Sequence, residues 1–240
     1  MVNLLIYISG LTALSVVIIG YIFFTHLLLK YKDSKQNNIL FIALLLFGMA
    51  TGWLAASIEF IYYLTTGMHL HYTTMVFIYA WAPGLGLISW NYVFMDTLFP
   101  KYKVHMTVIY SILYAIILIG VYVFPEINTG GQMPIPVFED FLTDSEYTGF
   151  SQIIGLVFIV TFIATGLTFV YYGFKAEEKE LKVKESTVGF GIVLLATMAV
   201  MDGLILPTPI MLPIIRSLVI LSFIMIWMGF IMPDFLKKRL

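Results

Sequence analysis

No cysteine occurs in the 240 residues. That removes disulfides, thiolate metal ligands and thiol nucleophiles together. Charge is scarce as well, at 11% of residues, and it is unevenly placed. The stretches 66–72, 126–149 and 207–211 hold no lysine or arginine at all, and no lysine lies between Lys184 and Lys237. Paired catalytic carboxylates, a cluster of metal ligands and a nucleophile beside a base are all missing, so enzymatic activity is not expected. Nor is a nucleic-acid partner or a resident cofactor.

What is abundant is oil. Hydrophobic residues make up 60% of the chain and mean hydropathy is +0.96, outside the range of soluble domains. A membrane-spanning helix needs about 20 mostly apolar residues. Seven such stretches can be read, near 4–29, 38–65, 73–99, 106–125, 150–174, 187–206 and 212–232. They are continuous rather than alternating, which excludes a closed barrel. The first has no basic leader and no small-x-small cleavage site, so it is expected to stay as a helix rather than be removed as a signal peptide. The expected fold is an all-α membrane protein, one seven-helix domain over 1–240.

The loops fall into two classes. Loops 30–37, 100–105 and 175–186, with the tail "FLKKRL", carry twelve lysines and arginines, whereas the alternate loops carry none. The positive-inside rule places the N-terminus outside and the C-terminus in the cytoplasm. Loop 126–149 holds Glu126, Glu139, Asp140, Asp144 and Glu146 with no basic residue. It reads either as a solvated acidic surface or as a cation-attracting vestibule. Loop 175–186, "KAEEKELKVKES", mixes signs at helical spacing and is expected to prolong the fifth helix. With 30–37 and 100–105 it is a candidate face for a cytoplasmic signalling partner.

Charges inside the stretches are the candidate functional residues, because ionised groups in hydrocarbon face protein or water. Asp202 stands seven residues before Pro209 and Arg216 seven after it. With Pro207, Pro209 and Pro213 marking a tight turn, an antiparallel hairpin brings the two to one depth, where they can neutralise each other. Glu59 is expected at a similar depth on the second helix, beside the row Gly48, Gly52, Ala56, which favours close helix contact. The three charges form either a staple between helices or the floor of an outward-facing ligand pocket. Pro83 and Gly84 in "WAPGLGLISWN" kink the third helix, and Trp53, Trp81 and Asn91 are candidate pocket walls. His69 and His71 form an H-x-H pair, a weak candidate for metal. His26 and His105 are remote candidates for haem ligation.

Covalent retinal requires a lysine in the last helix, which is absent. The receptor-type acid–arginine pair is also missing at the end of the third helix, where Thr97 and Leu98 follow Asp96. Instead "FGMATGWLAASIEF", "WAPGLGLISW" and "LPIIRSLVILSFIMIWMGFIMP" resemble the seven-helix sensor region of archaeal and bacterial histidine kinases and related stand-alone membrane proteins. The resemblance implies a signal-input module that binds a small ligand and acts on a separate cytoplasmic partner. The runner-up is a transporter or channel for a small solute or cation, disfavoured by a single visible break, at Pro83, and by the lack of an internal repeat.

Overall fold

A computed structural model describes residues 2–68, 70, 72–124, 149–204 and 210–232. Among these residues every regular element is helical: α1 (Val2–Ser34), α2 (Asn37–Thr51), α3 (Leu54–Thr66), α4 (Tyr72–Ala80), α5 (Ala82–Leu98), a 3₁₀ turn (Pro100–Tyr102), α6 (Lys103–Val123), α7 (Gly149–Lys175), α8 (Lys179–Leu204) and α9 (Met211–Ile231). His69, His71, the acidic residues of 126–146, Pro207, Pro209 and the basic tail lie outside the described residues.

Five helical segments are long and apolar enough to cross a membrane: Ile6–Ser34, Pro100–Val123, Phe150–Lys175, Lys179–Asp202 and Met211–Ile231. The bent pair α2 and α3 makes a sixth. Large apolar side chains such as Leu11, Ile18, Ile22, Val108, Ile112, Val160 and Leu221 are exposed on these helices while others are buried. Helices apolar all round suit a lipid surround, because lipid removes the cost of an apolar outer face.

Neighbouring elements close into a ring. α1 packs on α2 and α3, α2 on α5, α5 on α6, α6 on α7, α7 on α8, α8 on α9, and α9 returns to α1. The main core fills the α1–α2–α8–α9 side, where Val16, Ile42, Leu45, Leu46, Ile192, Leu195, Val219, Phe223 and Ile226 are buried. A smaller cluster of Tyr110, Tyr114, Ile117, Val121, Ile154 and Phe158 joins α6 to α7.

Two of the expected stretches are broken. The break in 73–99 falls at Trp81, just before Pro83 and Gly84, as the sequence implies. Pro83 has no N–H to continue the ladder, and the hydroxyl of Tyr114 on α6 donates to the Ala80 carbonyl left at the gap. The break in 38–65 has no such signal in the sequence. α2 stops at Thr51, α3 starts at Leu54, and the two axes differ by 43°. Gly52 N–H bonds Met49 O and Trp53 N–H bonds Ala50 O, three residues back rather than four, so the chain tightens locally. Trp53 sits at φ −92°, ψ 0°, in the sparsely allowed bridge region.

The row of small residues explains why this break is tolerated. A Cβ at Gly48 would lie 2.5 Å from the Ala82 carbonyl and the Gly86 nitrogen, so α2 and α5 touch backbone to backbone. One turn on, a Cβ at Gly52 would lie 3.6 Å from Pro83 Cγ. The two breaks therefore face each other. The mixed-charge segment 179–186 prolongs α8 backwards, rather than the fifth stretch forwards, since α7 ends at Lys175.

Candidate functional site: the Arg216 network

Arg216 enters the bundle from the second turn of α9. With 4% of its surface exposed, its guanidinium must find its partners inside the protein. Nε lies 3.4 Å from both carboxylate oxygens of Asp202 on α8, so the two charges meet as their equal spacing about Pro209 implies. The contact is long and uses one nitrogen, not the two-pronged fork that makes an arginine–carboxylate pair strongest. Nη1 turns to α1, where it donates to the Ser9 carbonyl and lies 3.2 Å from the hydroxyls of both Ser9 and Thr12. Asp202 is held more tightly by another donor: Trp53 Nε1 bonds its Oδ2 at 2.6 Å.

The break after α2 thus has a direct link to the charge pair. Trp53 is the residue at the bend, and its indole spans from the start of α3 to α8. One guanidinium and one carboxylate join α1, α8, α9 and the α2–α3 bend. Ser9 and Thr12 are functional candidates that the sequence reading missed. Their only signal is a pair of hydroxyls three apart on an apolar helix, and such hydroxyls commonly bond their own backbone. Thr12 does so as well, through the Ile8 carbonyl at 2.7 Å.

The network rests on an apolar floor. One turn past Arg216 toward the Lys30 end is Val219, and two turns past is Phe223. One turn past Ser9 is Ala13, followed by Val16, all of them fully buried. Ala50 and the Phe223 ring both close on Gly20, where a side chain would collide with them. Ser222, beside this plug, turns its hydroxyl back to the Val219 carbonyl at 2.6 Å. Next to Gly20 and Ala50, the Tyr21 hydroxyl is hydrogen-bonded to Thr51 Oγ1 at 3.0 Å.

Other predicted site residues lie elsewhere. Glu59 is buried, with 3% exposure, and its Oε2 accepts the Leu70 N–H at 2.7 Å, so it holds the connection between α3 and α4. It is not among the partners of Arg216 in the described residues. Trp81 is 44% exposed at the α4–α5 break, with its ring 6.1 Å from that of Phe47 on α2. Pro83 packs against Gly52, and the face of Gly84 is covered by the Tyr114 ring. Asn91 is buried on α5 and is not among the hydrogen-bond partners of Arg216 or Asp202. His26 Nδ1 accepts the Trp227 indole N–H at 3.1 Å, and His105 is exposed. Asp96 pairs with Lys103 at 2.6 Å, joining the ends of α5 and α6. Among the described residues no group of three or more His, Cys, Asp or Glu is placed to hold a metal ion.

Compared with known proteins, the chain matches no family model, no curated protein and no solved structure.

Proposed function

We propose that this chain is an integral membrane sensor of seven crossings, α2–α3 and α4–α5 each counting as one broken crossing. Its N-terminus lies outside and its C-terminus in the cytoplasm. The reading rests on one observation: the Arg216–Asp202 network ties four parts of the bundle together above a packed apolar plug. A small charged ligand entering from the outer side and competing for either charge would release Trp53, α1 or α9 from the others. The signal would reach the cytoplasmic ends through helix displacement, with loops 30–37, 100–105 and 175–186 as the faces offered to a partner. The plug supports sensing because a translocated solute needs polar stations along its whole route.

Transport of a small solute or cation is the second reading, and one observation favours it. The break at Gly52–Trp53 faces the break at Pro83, and paired discontinuous helices are a recurrent way to build a solute site in transporters. Reconstitution in liposomes separates the two. Flux of sodium ions, protons or small organic anions above that of empty vesicles, lost in the Asp202→Asn, Arg216→Gln double variant, establishes transport and removes the sensor reading. The sensor reading expects no flux, together with a rise in Tm from a member of a panel of small charged metabolites, because a ligand bound only by the folded state raises apparent stability. That rise is expected to vanish in the same double variant.

A further inference from the structure

Asn91 is 2% exposed, and neither its Oδ1 nor its Nδ2 meets a hydrogen-bond partner among the described residues. A carboxamide brings two donors and an acceptor with two lone pairs, and buried groups of this kind are nearly always bonded. The position of Asn91 in the ring says where its partner belongs. It follows Gly84 by seven residues on α5 and shares that face. The ring that covers Gly84 belongs to Tyr114 on α6. The preceding residue, Trp90, reaches α7, where its Nε1 donates to Thr165 Oγ1 at 2.8 Å. Asn91 thus lies toward the seam between α6 and α7.

The seam has a consistent chemistry. Tyr110 of α6 donates to Thr161 of α7 at 3.0 Å, one turn from Thr165, and the apolar wall is aromatic, formed by Phe158, Phe162 and Phe169. The groups described there are neutral. The nearest acid along α5, Asp96, is more than a turn away and bonded to Lys103 at 2.6 Å. The charges nearest the seam, Lys103 over the Tyr92 ring at 5.0 Å and Asp96, are paired with each other, so the seam itself offers hydrogen bonds and ring faces.

We propose that the α5–α6–α7 seam at Asn91 is a binding site for a small uncharged molecule that both donates and accepts hydrogen bonds. Water and a small organic molecule bearing a hydroxyl or carboxamide share that chemistry. The site is distinct from the Arg216 network and does not depend on the sensor reading.

An experimental map that resolves solvent, together with melting curves of wild type and Asn91→Leu, tests this. The map is expected to show a peak within hydrogen-bonding distance of the Asn91 carboxamide. Asn91→Leu keeps the branched outline of the side chain without its polar atoms, and it is expected to melt below wild type because the guest is lost. A water-sized peak with no change in Tm on adding acetamide or ethanol identifies water. A Tm that rises with acetamide or ethanol in wild type, but not in Asn91→Leu, identifies an organic guest. A map with no peak at the carboxamide, or an Asn91→Leu protein that melts at or above wild type, overturns the proposal. If Asn91→Leu does not fold, the wild-type map alone decides.

Discussion

A guanidinium that loses its carboxylate in a buried site is worse than no guanidinium. Asp202→Ala leaves Arg216 with only the hydroxyls and carbonyl of α1, and breaking a buried pair from one side costs about 3–5 kcal/mol. Arg216→Ala leaves the carboxylate with Trp53 alone and is expected to cost a similar amount. The double change Asp202→Asn with Arg216→Gln removes both charges and is expected to be milder than Asp202→Asn or Arg216→Gln alone. A thermal-stability cycle checks this, and simple additivity would show that the residues are uncoupled. Trp53→Phe isolates the 2.6 Å bond to Asp202 while keeping most of the ring. Hydrogen bonds to charged groups contribute about 1.5–3 kcal/mol, and a loss of that order is the expected outcome in chemical or thermal unfolding.

At the scale of elements, the contact between α2 and α5 depends on glycine as empty space. At Gly48 any side chain would meet the α5 backbone at 2.5 Å, and backbone cannot swing aside as a side-chain tip can. Gly48→Val is therefore expected to destabilise by at least the ~1–3 kcal/mol typical of overpacking and to push apart the two facing breaks. Gly155 on α7 provides the control, since nothing lies within 4 Å of the point where a Cβ would stand. Gly155→Ala is expected to be neutral or stabilising by up to about 1 kcal/mol, because alanine has the higher helix propensity. Melting of the two variants side by side checks the pair. If both behave alike, the α2–α5 contact is not the close one described.

For the whole molecule, orientation is the property on which the functional reading turns. The twelve-to-none division of lysine and arginine between alternate loops predicts that 126–149 faces outward and 175–186 inward. A single cysteine introduced into each segment of this cysteine-free chain makes the test clean. An impermeant thiol reagent applied to intact cells is expected to label the first and spare the second. The opposite pattern would put the Arg216 network on the cytoplasmic side and end the reading of an outward-facing sensor.

Composition and order along the chain determined the class of fold, because 60% apolar residues in long uninterrupted runs leave helices in lipid as the available structure. They also determined the partnership of Asp202 and Arg216, since equal spacing on either side of a proline turn is a local property of a hairpin. The break at Gly52 was decided elsewhere. Nothing in "GMATGWLA" demands a bend, and glycines occur within apolar helices without causing one. The bend exists where Pro83 of another segment packs against it and where Trp53 gains Asp202 as a partner 149 residues away. For the same reason the sequence pointed to Glu59 and not to Ser9 and Thr12 as the further partner of Arg216. Periodicity states how deep a residue lies and on which face of its own helix, but the neighbour that meets that face depends on how the ring closes. That closure is set by backbone approach at Gly48 and Gly86 and by side-chain packing across the chain, and only the assembled bundle contains it.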